Sequence, residues 1–164
     1  MDNNILLGKK HIHFIGIGGS GMYPLAQILH SQGYFITGSD NNETETLDAV
    51  RKMGIEVFIG QRAENISGAD LIVHTAAIME DNPELMAARA SGVPVLERAD
   101  LLGVITSRYE NAVCVSGTHG KTTTTSMVSE ILLTADADPP LSIGVILKSI
   151  GGNLRIGKSD YFVT

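Results

Sequence analysis

Short apolar segments alternate with amphipathic stretches over the first two thirds of the chain. The apolar segments predict strands over 11–15, 34–37, 55–58, 71–74 and 93–96, and Pro94 places the last of them at a sheet edge. The stretches between them predict helices, for example over 45–53 and 98–107, with Gly33 and Gly54 at helix ends and Asn82-Pro83 opening another helix. Strands that alternate with crossover helices predict an α/β fold with a doubly wound parallel sheet.

A glycine-rich loop follows the first predicted strand. Residues 16–21 read Gly-Ile-Gly-Gly-Ser-Gly, and Asp40 stands at the end of the second predicted strand, 24 positions after Gly16. Strand, glycine loop, helix and acid in this order are typical of a Rossmann-like nucleotide-binding unit. Gly16 would permit the tight turn, Gly18 the close approach of a pyrophosphate, and Gly21 the packing of helix against strand. A plain turn between strand and helix, without a ligand, is the alternative.

A second glycine loop lies within the segment NAVCVSGTHGKTTTTSM, residues 111–127. Its apolar start, with Val113 and Val115, predicts a buried strand, and apolar residues at helical spacing after 126 predict a helix. Glycines at a strand-to-helix junction let backbone N–H groups close around a phosphate. The loop is shorter than the common phosphate-binding pattern, because Val115 stands where the first glycine would fall. The alternative is a helix start merely capped by threonines.

Composition narrows the function classes. The chain has 164 residues, 43% of them hydrophobic, a net charge of −6 and a pI near 5.2, so neither nucleic acid nor an anionic membrane surface is an expected partner. The single cysteine, Cys114, is expected in the core, so a disulfide framework is excluded and a reducing compartment is indicated. No apolar run has the length of a membrane span, and MDNNILLGKK has no signal-peptide core. We therefore expect a cytoplasmic protein of undetermined oligomeric state.

The chain is expected to contain two domains. A polar stretch over 107–110 separates a first domain, 1–108, from a second, 109–164, in which further strands are predicted over 141–147 and 161–163. Residues 111–164 number only 54, which is too few for a complete phosphate-loop sheet. The second domain is therefore predicted to be the truncated start of a P-loop ATP-binding domain, and the chain a fragment of a longer protein.

Two phosphate-binding loops on consecutive domains indicate an ATP-driven reaction on a nucleotide-linked substrate. The glycine loop and ribose acid suit NAD or UDP, which both present a pyrophosphate and a ribose. Five segments resemble the Mur ligase family, over nearly the whole chain: HFIGIGGSGM at 13–22, TGSD at 37–40, HTAAI at 74–78, RADLL at 98–102 and GTHGKTTTTSM at 117–127. RADLL favours the alanine-adding member over the relative that recycles an intact tripeptide.

The resemblance implies a reaction and its reactants. The first domain would hold UDP-N-acetylmuramate, and the second would bind ATP and Mg²⁺. The γ-phosphoryl group would pass to the lactyl carboxylate, and the amine of L-alanine would attack the resulting acyl phosphate, a step of peptidoglycan precursor synthesis. Lys121 would be catalytic by neutralising charge on the phosphates. A further magnesium carboxylate of the family would follow Thr164, so the chain alone is expected not to turn over.

The expected sites follow from the fold rule and the resemblance together. Ligands of doubly wound sheets bind beyond the carboxyl ends of the strands. The UDP-substrate site would comprise Gly16, Gly18, Gly19, Ser20, Gly21, Asp40, His74, Thr75 and Arg98. The ATP site would comprise Gly117, Thr118, His119, Gly120, Lys121, Thr122 and Thr123, with the Thr122 hydroxyl on Mg²⁺.

Several assignments stay open from the sequence. Asp40 would bind ribose hydroxyls or form an Asx-turn into Asn41-Asn42. Contacts of His74 and His119 with ligands are undecided, whereas the other histidines are expected to be packing or surface residues. Two departures from the family pattern, Pro140 and Val145, put the local conformation of 139–146 in question. The competing function is a Rossmann module that senses NAD, which would not need the loop at 117–125.

Overall fold

The computed structural model describes residues 4–164, so residues 1–3 of the predicted first domain lie outside the described part. The chain divides into two compact units, Met1–Val104 and Ile105–Thr164. Among residues 4–164, no helix has both the length and the apolar character needed to cross a bilayer.

The first unit is a five-stranded parallel sheet with crossover helices, in the order β3-β2-β1-β4-β5. This confirms the doubly wound α/β prediction. Its elements are β1 (His11–Ile15), α1 (Met22–Ser31), β2 (Phe35–Asp40), α2 (Glu45–Lys52), β3 (Glu56–Ile59), a 3-10 turn (Ala63–Ile66), β4 (Leu71–His74), α3 (Pro83–Ala90), β5 (Val95–Glu97) and α4 (Arg98–Thr106), whose end reaches the second unit.

Both faces of this sheet are covered, because successive side chains of a strand point to opposite faces. Ile15 and Ile72 pack with Leu85 of α3 on one face. Ile12 and Phe14 are fully buried and, by alternation, belong to the other face. Helices α1 and α2 contact β2 and β3. The central strand β1 is therefore buried on both sides, and the loop that follows it starts from a rigid position.

The helix ends form where the sequence predicts them. The Asn82 side chain accepts hydrogen bonds from the N–H groups of Glu84 and Leu85, and Pro83 is the first residue of α3. Gly33 follows α1 with φ +91°, a conformation that favours glycine. These local signals confirm the predicted start of α3 and the predicted end of α1.

Three strands of the first unit differ from their predicted bounds, and the 3-10 turn was not predicted. β3 was expected over 55–58 and spans Glu56–Ile59. β2 was expected over 34–37 but extends through Asp40, because Gly38 and Ser39 are held by tertiary contacts that outweigh their low strand propensity. β5 was expected over 93–96 but begins at Val95, directly after Pro94. The edge position indicated by Pro94 is confirmed, since β4 is the single strand within residues 4–164 that pairs with β5.

The second unit contains a four-stranded mixed sheet in the order β6-β9-β7-β8. Its elements are β6 (Asn111–Val113), α5 (Lys121–Thr134), β7 (Leu141–Leu147), β8 (Gly152–Arg155) and β9 (Tyr161–Val163). β9 is parallel to β6 and β7, whereas β7 and β8 form an antiparallel pair. Val128 and Leu132 of α5 pack on a core of Leu141, Ile143 and Val163.

The prediction that the strand before the second loop is buried was wrong. β6 is an edge strand of the described sheet, Val113 is only half-buried, and Cys114 is exposed rather than a core residue. Helix α5 likewise turns only part of its apolar residues inward: Met127 and Ile131 are 62% and 67% exposed. Residues 127 and 131 stand about 100° around the helix from 128 and 132, which face the sheet.

The two departures around 139–146 are accommodated by β7. Pro140 lies just before the strand, where no N–H is needed, and its carbonyl accepts the N–H of Val163 at 3.1 Å. Val145 is 44% exposed and lies in the stretch between Ser142 and Leu147 where the pairing with β8 shifts register.

A first prediction concerns the contact between Gly38 and Ile17. A Cβ added to Gly38 would lie 2.7 Å from Ile17 Cβ and 2.9 Å from Ile17 Cγ2, and Ile17 is fully buried at the start of the first glycine loop. We expect Gly38→Ala to lower the free energy of unfolding by about 1–3 kcal/mol, measured by urea unfolding followed by circular dichroism. Gly152→Ala is the control, since its nearest neighbour is Leu154 O at 3.8 Å. Equal stability of the two variants would contradict the packing argument.

Candidate functional site

The candidate ligand crevice lies at the carboxyl ends of β1 and β4, where the strand order reverses. Gly16 leaves β1 with φ +84°, a conformation that favours glycine. A Cβ there would also lie 2.8 Å from Thr75 Cγ2, just after β4. The loop after β1 and the segment after β4 therefore meet closely, and the structure brings Gly16 and Thr75 together as the sequence predicted.

The backbone of the first loop leaves two donors for a ligand. Gly16 N and Ile17 N donate to Ser39 O at 2.8 and 3.0 Å, and Gly19 N donates to Gly16 O at 3.1 Å. Gly19 O in turn accepts from the first N–H groups of α1, at residues 22 and 23. The N–H groups of residues 20 and 21 have no acceptor among residues 4–164. They precede α1, where the helix dipole favours an anion.

The space beside Gly18, where the sequence predicted a pyrophosphate, is occupied by side chains of the protein. Gly18 N donates to Asp40 Oδ2 at 3.0 Å, and a Cβ on Gly18 would lie 2.9 Å from that oxygen and 3.0 Å from Leu47 Cδ2. This gives Gly18 a packing reason apart from the pyrophosphate that the sequence suggested. Asp40 Oδ1 also accepts the N–H of Asn42 at 3.3 Å, so the Asx-turn considered for Asp40 is present.

Arg98 lies beside the start of α1. A Cβ on Gly21 would be 3.0 Å from Arg98 Cδ and 3.3 Å from Arg98 Nε. The prediction that Gly21 serves helix–strand packing is therefore wrong, because the space beside Gly21 is occupied by the Arg98 side chain. Arg98 follows β5 directly as the first residue of α4. Its guanidinium adds a positive charge next to the free N–H groups of the loop.

The residues after β4 complete this side of the crevice. His74 ends β4, is half-buried, and its Nδ1 donates to Thr75 O at 3.1 Å. Thr75 N donates to Ile15 O at 3.3 Å, and Thr75 Oγ1 accepts from Ala77 N at 3.4 Å. Further along, Arg89 donates to Glu80, and this hydrogen bond lowers the pKa of the Glu80 carboxyl.

A polar cavity that the sequence reasoning missed lies at the same end of the sheet. It has a volume of about 460 Å³ and includes Asn41, Gln61 and Asn82 in its lining. Asn41 Nδ2 and Asn82 Nδ2 both donate to Gln61 Oε1. The sequence offered one signal for this cavity, the position of its polar residues after strands or before a helix. Asn41 follows β2, Gln61 follows β3 closely, and Asn82 precedes α3.

The second loop joins β6 to α5 in the other unit. Gly117 and Gly120 have φ +153° and +77°, so both use conformations that favour glycine. Lys121 Nζ donates to Gly117 O and to Thr118 O, which holds the ammonium against the loop. Thr122 Oγ1 lies 3.8 Å from the position of a Cβ on Gly144 in β7. The predicted ATP-site residues 117–123 are all exposed.

The donor set at this loop suits magnesium bound together with a phosphate. Mg²⁺ prefers oxygen ligands and usually keeps few protein contacts when substrate phosphates are present. The Thr122 hydroxyl is an oxygen donor of the type that Mg²⁺ prefers. No group of three or more His, Cys, Asp or Glu side chains that could hold a metal occurs between residues 4 and 164. Among residues 4–164, Thr122 is therefore a single candidate donor at this loop and not part of a cluster of metal ligands.

Together these features define a Rossmann-like α/β protein with two glycine loops, one at the switch point of a parallel sheet and one followed by lysine and threonine. Residues 11–110 match the model of the Mur ligase family, catalytic domain. This match covers most of the chain but ends before the second loop. The chain belongs to the Mur ligase family.

Individual relatives agree with this assignment. The chain is 57% identical over 155 residues to a UDP-N-acetylmuramate–L-alanine ligase of Agathobacter rectalis, covering 94% of this chain and 34% of that protein. A crystal structure of a UDP-N-acetylmuramate–alanine ligase from Thermotoga maritima superposes with a TM-score of 0.83 and 37% identity, over 94% of this chain and 36% of that one. The chain thus spans about a third of the length of the curated relatives it matches.

A second solved relative is named for a peptide where the first is named for alanine. The UDP-N-acetylmuramate:L-alanyl-γ-D-glutamyl-meso-diaminopimelate ligase from Neisseria meningitides superposes with a TM-score of 0.86 and 28% identity. The superposition covers 94% of this chain and 52% of that one. The tertiary fold is therefore shared by ligases of both names.

A second prediction concerns the bond between Asp40 and Gly18. We expect Asp40→Ala to lower the free energy of unfolding by about 1–2 kcal/mol without any nucleotide, because Gly18 N loses its acceptor. Asp40→Asn keeps one acceptor oxygen and should lose less than Asp40→Ala. Urea unfolding measures both, with Asp48→Ala, an exposed carboxylate on α2, as control. If Asp40→Ala and Asp48→Ala are equally stable, Asp40 does not hold the loop in solution.

Proposed function

We propose that this chain is the substrate-binding and phosphate-loop part of an ATP-dependent ligase that joins L-alanine to UDP-N-acetylmuramate. The carrying observation is the pair of glycine loops, one on each compact unit, in a chain 57% identical to a relative of that name. We assign residues 1–108 to the UDP-substrate domain and 109–164 to the start of the ATP-binding domain. The reaction would belong to peptidoglycan precursor synthesis in the cytoplasm.

In the proposed UDP site, the pyrophosphate binds at the start of α1. The free N–H groups of Ser20 and Gly21 and the neighbouring guanidinium of Arg98 supply donors of positive character. Asp40 is the proposed ribose acceptor, although its carboxylate also holds Gly18. His74 and Thr75 flank the loop from the end of β4 and would contact the substrate beyond the pyrophosphate.

In the proposed ATP site, the second loop wraps the triphosphate. The backbone of residues 117–120 and the start of α5 offer N–H groups, and Lys121 offers an exposed ammonium. Lys121 would turn from the carbonyls of Gly117 and Thr118 toward the β- and γ-phosphates. Magnesium bound with Thr122 would neutralise phosphate charge during transfer. His119 within the loop and Thr123 in the first turn of α5 are exposed and would complete the contacts.

The proposed chemistry needs positioning and charge stabilisation rather than a covalent enzyme intermediate. Transfer of the γ-phosphoryl group to the lactyl carboxylate would form an acyl phosphate and release ADP. The amine of L-alanine would then attack the acyl carbon, forming the amide and releasing phosphate. Lys121 would balance the negative charge that develops on the transferred group.

A second candidate function, ligation of a tripeptide in place of L-alanine to UDP-N-acetylmuramate, is supported by a specific observation. The tripeptide-named ligase from Neisseria meningitides superposes as well as the alanine-named ligase from Thermotoga maritima. The identity is higher for the alanine-named relatives, which favours L-alanine. An NAD-sensing module is the remaining alternative, and it leaves Lys121 and Thr122 without a role.

The third prediction tests the UDP site. Isothermal titration calorimetry should detect binding of UDP-N-acetylmuramate and UDP to the 164-residue chain, and no binding of NAD. Arg98→Ala should weaken UDP binding about tenfold, since one charge-assisted contact is lost. Lys52→Ala removes a positive charge at the exposed end of α2 and serves as the matched control.

Two results would contradict the proposed site. Preference for NAD over UDP would support the sensor module. An Arg98→Ala variant with the affinity of the parent would show that the pyrophosphate does not bind beside Gly21. Gly18→Val is a poor substitute for Arg98→Ala, because a side chain at Gly18 would collide with Asp40 and Leu47 even without a ligand.

The fourth prediction concerns turnover. Alignment of reactants can account for about 7–11 kcal/mol of barrier lowering. In the proposed ATP site, the described residues would contact the γ-phosphate through the second loop alone. We therefore expect weak ATP binding and no alanine-dependent phosphate release from this chain with UDP-N-acetylmuramate, ATP, Mg²⁺ and L-alanine. The full-length Agathobacter rectalis ligase is the positive control in the same assay. Alanine-dependent release by the purified 164-residue chain would show that these residues suffice for the chemistry.

A further inference from the structure

A buried chain of polar side chains runs across the face of the first sheet that packs against α3. His13, Ser39 and Glu84 are fully buried, and Thr37 is 3% exposed. Glu84 Oε1 lies 2.7 Å from His13 Nε2, and Glu84 Oε2 accepts from Ser39 Oγ at 2.6 Å. His13 Nδ1 lies 2.7 Å from Thr37 Oγ1, which is also 2.8 Å from His11 Nε2. Nothing in the proposed reaction uses these groups.

Stability alone is a weak reason for such a network. Taking a carboxylate out of water costs several kcal/mol, and replacing a buried ion pair with apolar side chains of similar volume is often neutral or stabilising. The rest of the α3 face nearby is packed by apolar side chains such as Ile15, Ile72 and Leu85. The polar network is therefore better explained by what it holds in place.

Ser39 links the network to the first glycine loop. Its hydroxyl donates to Glu84, while its carbonyl accepts the N–H groups of Gly16 and Ile17 at 2.8 and 3.0 Å. The next residue, Asp40, accepts the N–H of Gly18. Three consecutive N–H groups of the loop are thus bound by two consecutive residues at the end of β2.

Glu84 is itself held from two sides. His13 of β1 contacts one of its oxygens, and its backbone N–H donates to the cap residue Asn82 at 3.0 Å. The carboxylate thereby ties the start of α3 to the end of β2 and to β1. A shift of any one of these elements would be passed to Ser39 and from there to the loop.

We infer that Glu84 and His13 are positioning residues that set the geometry of the 16–21 loop through Ser39. Both side chains are fully buried, so they would act through Ser39 and not by direct contact with a ligand. The effect on nucleotide affinity rests on the proposed function, whereas the effect on the loop itself rests on the hydrogen bonds alone.

The experiment compares four variants of the 164-residue chain. Ser39→Ala removes the hydroxyl link, Glu84→Ala removes the carboxylate, and Glu84→Gln keeps the shape and one acceptor oxygen. Ile72→Val is the control, because it thins the same core beside α3 at a stability cost of about 0.5–1.5 kcal/mol without touching the network. Urea unfolding is measured for each variant so that affinities are compared only under conditions where it is folded.

Amide hydrogen exchange at Gly16 and Ile17, measured by NMR without ligand, is the first readout. We expect Ser39→Ala and Glu84→Ala to speed exchange at these two amides by about fivefold or more relative to Ile72→Val, with Glu84→Gln close to the parent. If Glu84→Ala does not fold, Ser39→Ala decides this readout. Exchange in Ser39→Ala no faster than in Ile72→Val would overturn the inference.

UDP affinity by calorimetry is the second readout. We expect about fivefold weaker binding for Ser39→Ala and Glu84→Ala, near-parent binding for Glu84→Gln, and no loss for Ile72→Val. Parent-like affinity in Ser39→Ala would overturn the role in binding. If the parent itself binds no UDP, the proposed function fails, and selective exchange at Gly16 and Ile17 would still establish the positioning role.

Discussion

The first unit depends on one set of hydrogen bonds, in which the end of β2 holds the loop that leaves β1. Ser39 O accepts from Gly16 and Ile17, and the Asp40 carboxylate accepts from Gly18. The loop after β1 no longer belongs to the sheet, so its N–H groups have no acceptor on a neighbouring strand ladder. Leaving such buried N–H groups unpaired would lower the stability of the fold. The loop can therefore present its last N–H groups toward the crevice because its first three are already bound.

This arrangement gives the glycines reasons that come from the protein as well as from a ligand. Gly16 turns with positive φ against Thr75, Gly18 makes room for Asp40, and Gly21 makes room for Arg98. The Gly-x-Gly-x-x-Gly pattern of this chain is thus required in part by packing within the protein. In this family member the same close packing brings an acid and an arginine to the start of α1, where an anionic substrate is proposed to bind.

The glycine loop of the second unit differs from that of the first, because its residues are exposed to solvent and not packed against other side chains. Lys121 is bound to loop carbonyls, and residues 117–123 are open to solvent. Because these partners are exposed to solvent, the ammonium could exchange them for a phosphate without leaving a buried group unpaired. The apolar residues Met127 and Ile131 on the outer side of α5 are exposed in the described part of the chain.

The sequence by itself determined the helices and strands of the first unit to within a few residues, the parallel α/β class, both glycine loops and the caps at Asn82 and Gly33. Spacing, turns and capping determine these features because they act over a few residues. Only the tertiary structure decided which side chains meet across strands. The burial of Glu84 against His13, the extension of β2 through Ser39 and the exposure of Cys114 depend on partners many positions away. Local patterns carry no information on such partners, since the sheet order that joins them forms only when the chain packs.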